Sequence, residues 1–113
     1  MNASHITTHI LDTGTGRPAV GVKALLEAQS MSGWREVASG HTDSDGRIKT
    51  LGPEAVDAGV YRIRFETGPY FAAAGVETFF PSVEVTFEIK DPGQHYHVPL
   101  LISPFAYSTY RGS

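Results

Sequence analysis

The chain has 113 residues, no cysteine and a formal net charge of −3 at pH 7. That length fits one domain over residues 1–113 with its own hydrophobic core, and the missing thiols exclude disulfides and leave metal binding to histidine and carboxylates. The acidic balance argues against a nucleic-acid partner, since no basic stripe exists to replace phosphate counterions.

The N-terminus, MNASHITTHILD, has neither a basic segment nor a continuous apolar one. No apolar run approaches the roughly 18 residues of a membrane span, so a soluble, cytoplasmic protein without membrane contact is the expectation. His5 to Asp12 alternates as a first strand, with Ile6, Thr8 and Ile10 on one face and His5, Thr7, His9 and Leu11 on the other. The Gly14, Gly16 and Pro18 stretch reads as a loop. A second strand covers residues 20–29 and places Val22, Leu26 and Ala28 together, although Leu25 blurs the contrast. A third, of weaker pattern, covers residues 34–42.

Thr42-Asp43-Ser44-Asp45-Gly46 is a turn whose glycine accommodates positive φ, and Arg47 opens a short strand after it. The Asp-x-Asp-Gly series invites a calcium reading, but Arg47 stands where an oxygen ligand is needed and Gly46 is misplaced, so a plain hairpin turn is the better account. Residues 52–59 read as a loop. Val60 to Glu66 alternates with Tyr61, Ile63 and Phe65 inward. Pro69 to Gly75 is the single helix candidate, with proline near its start and glycine at its end. Val83, Val85, Phe87 and Ile89 then mark the clearest strand.

The tail, residues 92–113, has the composition of an ordered element. A strand from His95 to Ile102 sets His95, His97, Pro99 and Leu101 on one face and Tyr96, Val98, Leu100 and Ile102 on the other. Pro99 donates nothing to a ladder, which suggests an edge, a bulge or an outward-directed nitrogen. Ser103-Pro104 turns the chain into a last short antiparallel strand, Phe105 to Tyr110. About eight short strands with turn signals every 8–12 residues predict an all-β antiparallel two-sheet sandwich with one short helix.

For chemistry, the histidines stand out. His95-x-His97 with His9 is open to three readings: a zinc site, metal-free acid-base catalysis, or surface and structural imidazoles. A neighbouring guanidinium would favour an anionic ligand and disfavour protonation of such an imidazole, and Arg47 and Arg111 are the arginines nearest that role. Neither a nucleophile elbow, a phosphate loop nor a dinucleotide fingerprint occurs. Ser108 and the alternating aromatics Phe105, Tyr107 and Tyr110 read as ordinary residues of a final packed strand.

Several stretches together resemble the transthyretin-like family over essentially the whole length. They are Thr8-His9-Ile10-Leu11-Asp12 with Gly16-Arg17-Pro18-Ala19, Thr42 through Arg47, Phe80-Pro81 before Val83-Glu84-Val85, and His95-Tyr96-His97-Val98-Pro99-Leu100-Leu101. The final Tyr110-Arg111-Gly112-Ser113 is similar to the ending of the family's 5-hydroxyisourate hydrolases and unlike that of its hormone-carrying transthyretins.

The resemblance implies hydrolysis of 5-hydroxyisourate without cofactor or metal. It also implies a homotetramer built as a dimer of dimers, with sites where dimers meet, and a helix near Tyr70 to Ala74. It implies catalytic roles for His9, Arg47, His97 and Ser113, and substrate binding by His9, Arg47, His97 and Tyr110 through Ser113. His95 belongs to the motif without an assigned role. A terminal carboxylate buried near the cleft would orient a histidine or the substrate, and Arg111 is a candidate for interface pairing.

Overall fold

The computed structural model describes residues 4–113; of the N-terminal reading, residues 1–3 lie outside them. Nine strands and one helix follow in order. They are β1 (Ile6–Asp12), β2 (Arg17–Pro18), β3 (Lys23–Ser30), β4 (Gly33–His41), β5 (Arg47–Ile48), β6 (Gly59–Phe65), α1 (Thr67–Ala73), β7 (Val83–Ile89), β8 (Tyr96–Ser103) and β9 (Ala106–Thr109). One sheet runs β4-β3-β6-β7. The other runs β2-β1-β8-β9, with β5 pairing β1 beside β2. Among the described residues no helix is long and apolar enough to cross a membrane.

The period-two faces pack as the alternation requires. Ile6, Ile10, Val98, Leu100 and Ile102 from one sheet meet Ala24, Leu26, Ile63, Phe65, Val83 and Ile89 from the other in a single cluster. Thr8 also points inward, fully buried, and its hydroxyl is satisfied by donating to the Val98 carbonyl at 2.6 Å. The two-residue β2 falls inside the stretch read as a loop; two residues are too few for alternation to be visible. The helix starts two residues before the expected Pro69, and Gly68 in its first turn lies against the Pro81 backbone, where a Cβ would come within 2.5 Å of the Pro81 oxygen.

One pairing departs from the antiparallel pattern. β1 and β8 run parallel over seven residue pairs, from Ile6↔Tyr96 to Asp12↔Ile102, while the other strand pairs are antiparallel. Alternation reports which face a residue occupies and carries no sign of strand direction. This pairing also makes β8 a central strand, flanked by β1 and β9. Of the three explanations for Pro99, the edge position therefore fails. His97 and Pro99 turn their backbone groups toward the tail, where the Gly112 N–H donates to the His97 carbonyl and the Thr109 hydroxyl to the Pro99 carbonyl. β9 has ended at Thr109 and its chain rejoins at Gly112, so the nitrogen without a proton faces the interval between them.

Candidate active site

The parallel register builds the site. On β1, His9 has Arg47 as its partner on one side and Pro99 on the other, and two residues earlier Thr7 has His97 as its partner. Cross-strand partners share a face. Thr7, His9, Arg47, His97 and Pro99 therefore form one patch on the outward side of the five-stranded sheet. His9, Arg47 and His97 are each half-buried there.

Arg47 is delivered by the turn before it. The Asp43 carboxylate accepts the N–H of Asp45 at 2.9 Å and of Arg47 at 3.0 Å. These bonds, led by that of Arg47, hold the Asp43 carboxyl below its ordinary range. Gly46 has φ of 74° and sits against β1, where a Cβ would meet the Ile10 carbonyl at 2.5 Å. Its own carbonyl accepts the Ile10 N–H at 2.8 Å. A glycine is thus required twice over, by the left-handed backbone and by the close approach. The expected turn is present, but it closes no hairpin: β4 before it and β5 after it lie in different sheets, and its acidic side chain organises Arg47 at the crossing.

His97 is held on two edges. Its Nδ1 lies 2.8 Å from the Thr7 hydroxyl, and its Cδ2 edge is covered by Gly112, where a Cβ would come within 2.6 Å of that carbon. Nε2 takes no hydrogen bond among the described residues. Burial first, then the positive field of Arg47, then His9 and His95, push the His97 imidazole below its ordinary value of 6.5, against a smaller opposing effect of Thr7. An imidazole so placed stays neutral near pH 7 and is competent to accept a proton.

The remaining sequence candidates are distributed unevenly. His95 is exposed, with Nε2 3.1 Å from the same Thr7 hydroxyl. Arg111 directs its guanidinium away from the patch, donating to Gln94 Oε1 at 3.0 Å and lying 4.4 Å over the Tyr96 ring. Tyr110 is exposed and borders a cavity of about 260 Å³ between β7 and the tail. Ser113 is exposed in the chain by itself and makes no hydrogen bond among the described residues. Of the tail tetrapeptide, Gly112 packs directly on the His97 ring.

His5 shares a sequence face with His9 but not its surroundings. It is buried, accepts the Val56 N–H on Nδ1 at 2.9 Å and donates from Nε2 to the Gln94 carbonyl, so it ties two loops together. Among the described residues no three His, Asp or Glu side chains converge in the way a metal ion requires. Thr7 is the residue that sequence reading placed on the histidine face without singling out. Its signal was the two-residue offset from His9.

A cavity of about 550 Å³ beside α1, lined by Lys23, His41, Glu66 and Tyr70 among others, contains none of the candidate residues. The Tyr70 hydroxyl there donates to the buried Asp12 carboxylate at 2.8 Å, and burial with that bond raises the phenol to about 12. Asp12 also accepts the N–H of Gly14 and of Thr15, so this group ties the end of β1 to the helix.

The pattern of residues in the chain matches the HIUase/Transthyretin family over residues 6–112. The chain belongs to that family. The 5-hydroxyisourate hydrolase of Salmonella dublin is 52% identical over 109 residues, covering 96% of this chain and 80% of the relative. The structure of Klebsiella pneumoniae 5-hydroxyisourate hydrolase is similar with a TM-score of 0.86 and 42% identity, over 96% of this chain and 98% of that one. Sea bream transthyretin in complex with thyroxine gives a TM-score of 0.90 at 35% identity, over 95% and 93% of the two chains. The HIUase/transthyretin sandwich is therefore common to proteins named 5-hydroxyisourate hydrolase and to a transthyretin in complex with thyroxine, and the fold by itself does not choose between them.

Proposed function

We propose that this chain hydrolyses 5-hydroxyisourate in urate degradation, yielding 2-oxo-4-hydroxy-4-carboxy-5-ureidoimidazoline without a cofactor. The observation that carries the reading is the meeting of His9, Arg47 and His97 on one sheet face in a chain of this family. The reaction opens the N1–C6 bond of the substrate. Water adds through its oxygen to C6, one water proton leaves to a base, and N1 departs with a proton.

His97 is assigned as the base, because it is neutral near pH 7 and its ring is fixed on two edges. His9, on the neighbouring strand, supplies the proton to N1. Arg47 orients the planar substrate through its guanidinium fork and offsets oxygen charge as C6 becomes tetrahedral. Gly112 holds His97 in place through its backbone, Tyr110 and Arg111 dock the tail that carries it, and Ser113 follows directly as a polar contact to the substrate.

The patch is open to one side in a single chain, and the edge strand β9 is exposed along its whole length. Phe79, Phe105 and Tyr110 expose aromatic surface as well. These features support assembly as a dimer of dimers in which a second copy closes each site. Sedimentation at micromolar concentration should then give about four chains, and a fully active monomer would refute the assembly.

The deciding experiment follows the absorbance of freshly generated 5-hydroxyisourate with and without the protein. Decay should accelerate in proportion to protein concentration. A carrier would leave the spontaneous rate unchanged.

A further inference from the structure

Thr7 lies at the centre of the histidine patch, between His97 and His95. The residue is only 6% exposed, so its hydroxyl must find partners within the protein. Both are imidazole nitrogens: His97 Nδ1 at 2.8 Å and His95 Nε2 at 3.1 Å. A hydroxyl has one proton to donate, and each neutral ring has one nitrogen with a proton and one without.

Two matched arrangements satisfy all three groups. In the first, His97 Nδ1–H donates to Thr7 Oγ1 and the Thr7 O–H donates to His95 Nε2, which leaves His97 Nε2 with a free lone pair. In the second, His95 Nε2–H donates to Thr7 and the Thr7 O–H donates to His97 Nδ1, which leaves His97 Nε2 protonated. The tautomer of one ring therefore dictates that of the other.

We infer that Thr7 is a positioning residue that couples the tautomers of His97 and His95 and makes the exposed His95 the outer end of a proton path from the site. This rests on the proposed hydrolysis for its catalytic consequence, although the coupling itself is independent of any substrate. When His97 Nε2 accepts a proton, Nδ1–H passes its proton to Thr7 Oγ1 as the Thr7 hydroxyl proton passes to His95 Nε2. One proton enters the hydroxyl and one leaves, so Thr7 is unchanged. His97 ends neutral with Nε2 protonated, and His95 carries the charge at the surface. The base is restored when Nε2–H leaves to His9, which has given its proton to N1, and His95 returns a proton through Thr7 to Nδ1; neither transfer needs ring rotation, which suits a ring pinned by Gly112.

The charged and titratable groups facing His97 are Arg47 from β5, His9 from β1 and His95 from the segment leading into β8. Glu88 of β7 and Arg111 of the tail border the small cavity that His97 also lines. None of them reaches Nδ1, which Thr7 occupies.

The test compares Thr7→Val, which keeps the shape and removes the hydroxyl, with Thr7→Ser, which keeps the hydroxyl. Thr7→Val should lower kcat by at least about 10-fold with KM little changed, within the about 10⁴-fold bound for a wrongly held tautomer. It should also move the acid limb of the kcat profile. Thr7→Ser should restore most of both. His95→Gln should shift the profile in the same way, and the double variant with Thr7→Val should add little further, as expected of groups acting as one unit.

Ring-nitrogen chemical shifts supply the readout that needs no turnover. In the unaltered protein His97 and His95 should show matched tautomers, and Thr7→Val should uncouple them. Uncoupled shifts in the unaltered protein, or full kcat with an unmoved profile in folded Thr7→Val, would overturn the inference. Equal losses in Thr7→Ser and Thr7→Val would do the same by making the effect one of packing. Matched shifts in a protein that does not accelerate substrate decay would instead sink the hydrolase reading and leave the coupling standing.

Discussion

On the outer face of the four-stranded sheet, Arg62 is neutralised: its Nε lies 2.7 Å from Glu27 Oε1 and 3.7 Å from Glu84 Oε2, and its guanidinium rests 4.2 Å over the Trp34 ring. Arg64 likewise meets Glu66 at 3.1 Å. On the outer face of the five-stranded sheet, Arg47 enters no ion pair among the described residues and instead depresses the basicity of His97. A cation paired across strands contributes modestly to stability and leaves no field for a ligand. A cation left among imidazoles does the reverse, disfavouring their protonation and favouring an incoming anion or developing oxyanion. The two faces of the same sandwich thus separate support from chemistry.

The comparison breaks most visibly at His97. Replacing it by Gln should lower kcat/KM by about 10²–10⁴-fold, the range for loss of a positioned acid or base, while thermal unfolding shifts only slightly because the ring is half-buried and outside the core. Steady-state rates on fresh substrate, read beside a melting curve, check this. A loss confined to stability would place His97 among the supporting residues.

Removing residues 110–113 deletes the bridge between Gly112 and His97 and the cover over its ring. Even a small displacement of a catalytic group costs up to about 10²-fold, so turnover should fall by about that factor in a protein that remains folded. Full activity with an unchanged oligomeric state would show that the tail is packing alone.

Arg47→Gln sharpens the contrast through pH. Burial and the Arg47 charge hold the His97 value below 6.5, so the unprotonated base persists below that pH in the unaltered protein. Without the guanidinium the value rises, and the acid limb of kcat/KM should move to higher pH, with a fall in rate of about 10-fold or more from lost substrate orientation. The same depression affects folding. Protonation favours the unfolded chain, so His97 costs no stability above about pH 6.5, and its penalty grows as pH falls from there through the folded value. An acid limb that stays in place would remove Arg47 from the account of His97.

The smallest effect is expected on the other sheet. Glu27→Gln, Arg62→Met and their combination should leave turnover unchanged, and the double-mutant cycle should return about 1 kcal/mol for the partly exposed pair. A change in kcat would mean that the two faces are coupled after all.

Much of this division was visible before folding was considered. Alternation placed Ile6, Thr8 and Ile10 opposite Thr7 and His9, and His97 opposite Val98 and Leu100, because a pleated strand turns successive side chains to opposite faces whatever its neighbours. Asp43 and Gly46 announced a turn through local chemistry, an acidic side chain for backbone N–H groups and a residue without Cβ. Residue chemistry on the strand faces put forward His9, His95, His97, Arg47 and Arg111, and resemblance to a family assigned roles to His9, Arg47 and His97; neither signal carried the distances among them.

Direction and register lay beyond reach of those signals. That β1 and β8 run parallel, that Thr7 stands opposite His97 and His9 opposite Arg47, and that Arg111 turns toward Tyr96 are properties of strands brought together from up to about ninety residues apart in the chain. Side-chain period is set by bonds within one strand and is therefore written locally. Which strands pair, and at which offset, is set by how two apolar faces and a shared set of backbone hydrogen bonds fit in three dimensions. The sequence by itself determined the sandwich, its inward faces and the residue types available for chemistry. Tertiary structure alone decided that His97 would be held between Thr7 and Gly112 within the field of Arg47, because each of those contacts joins separate segments of the chain.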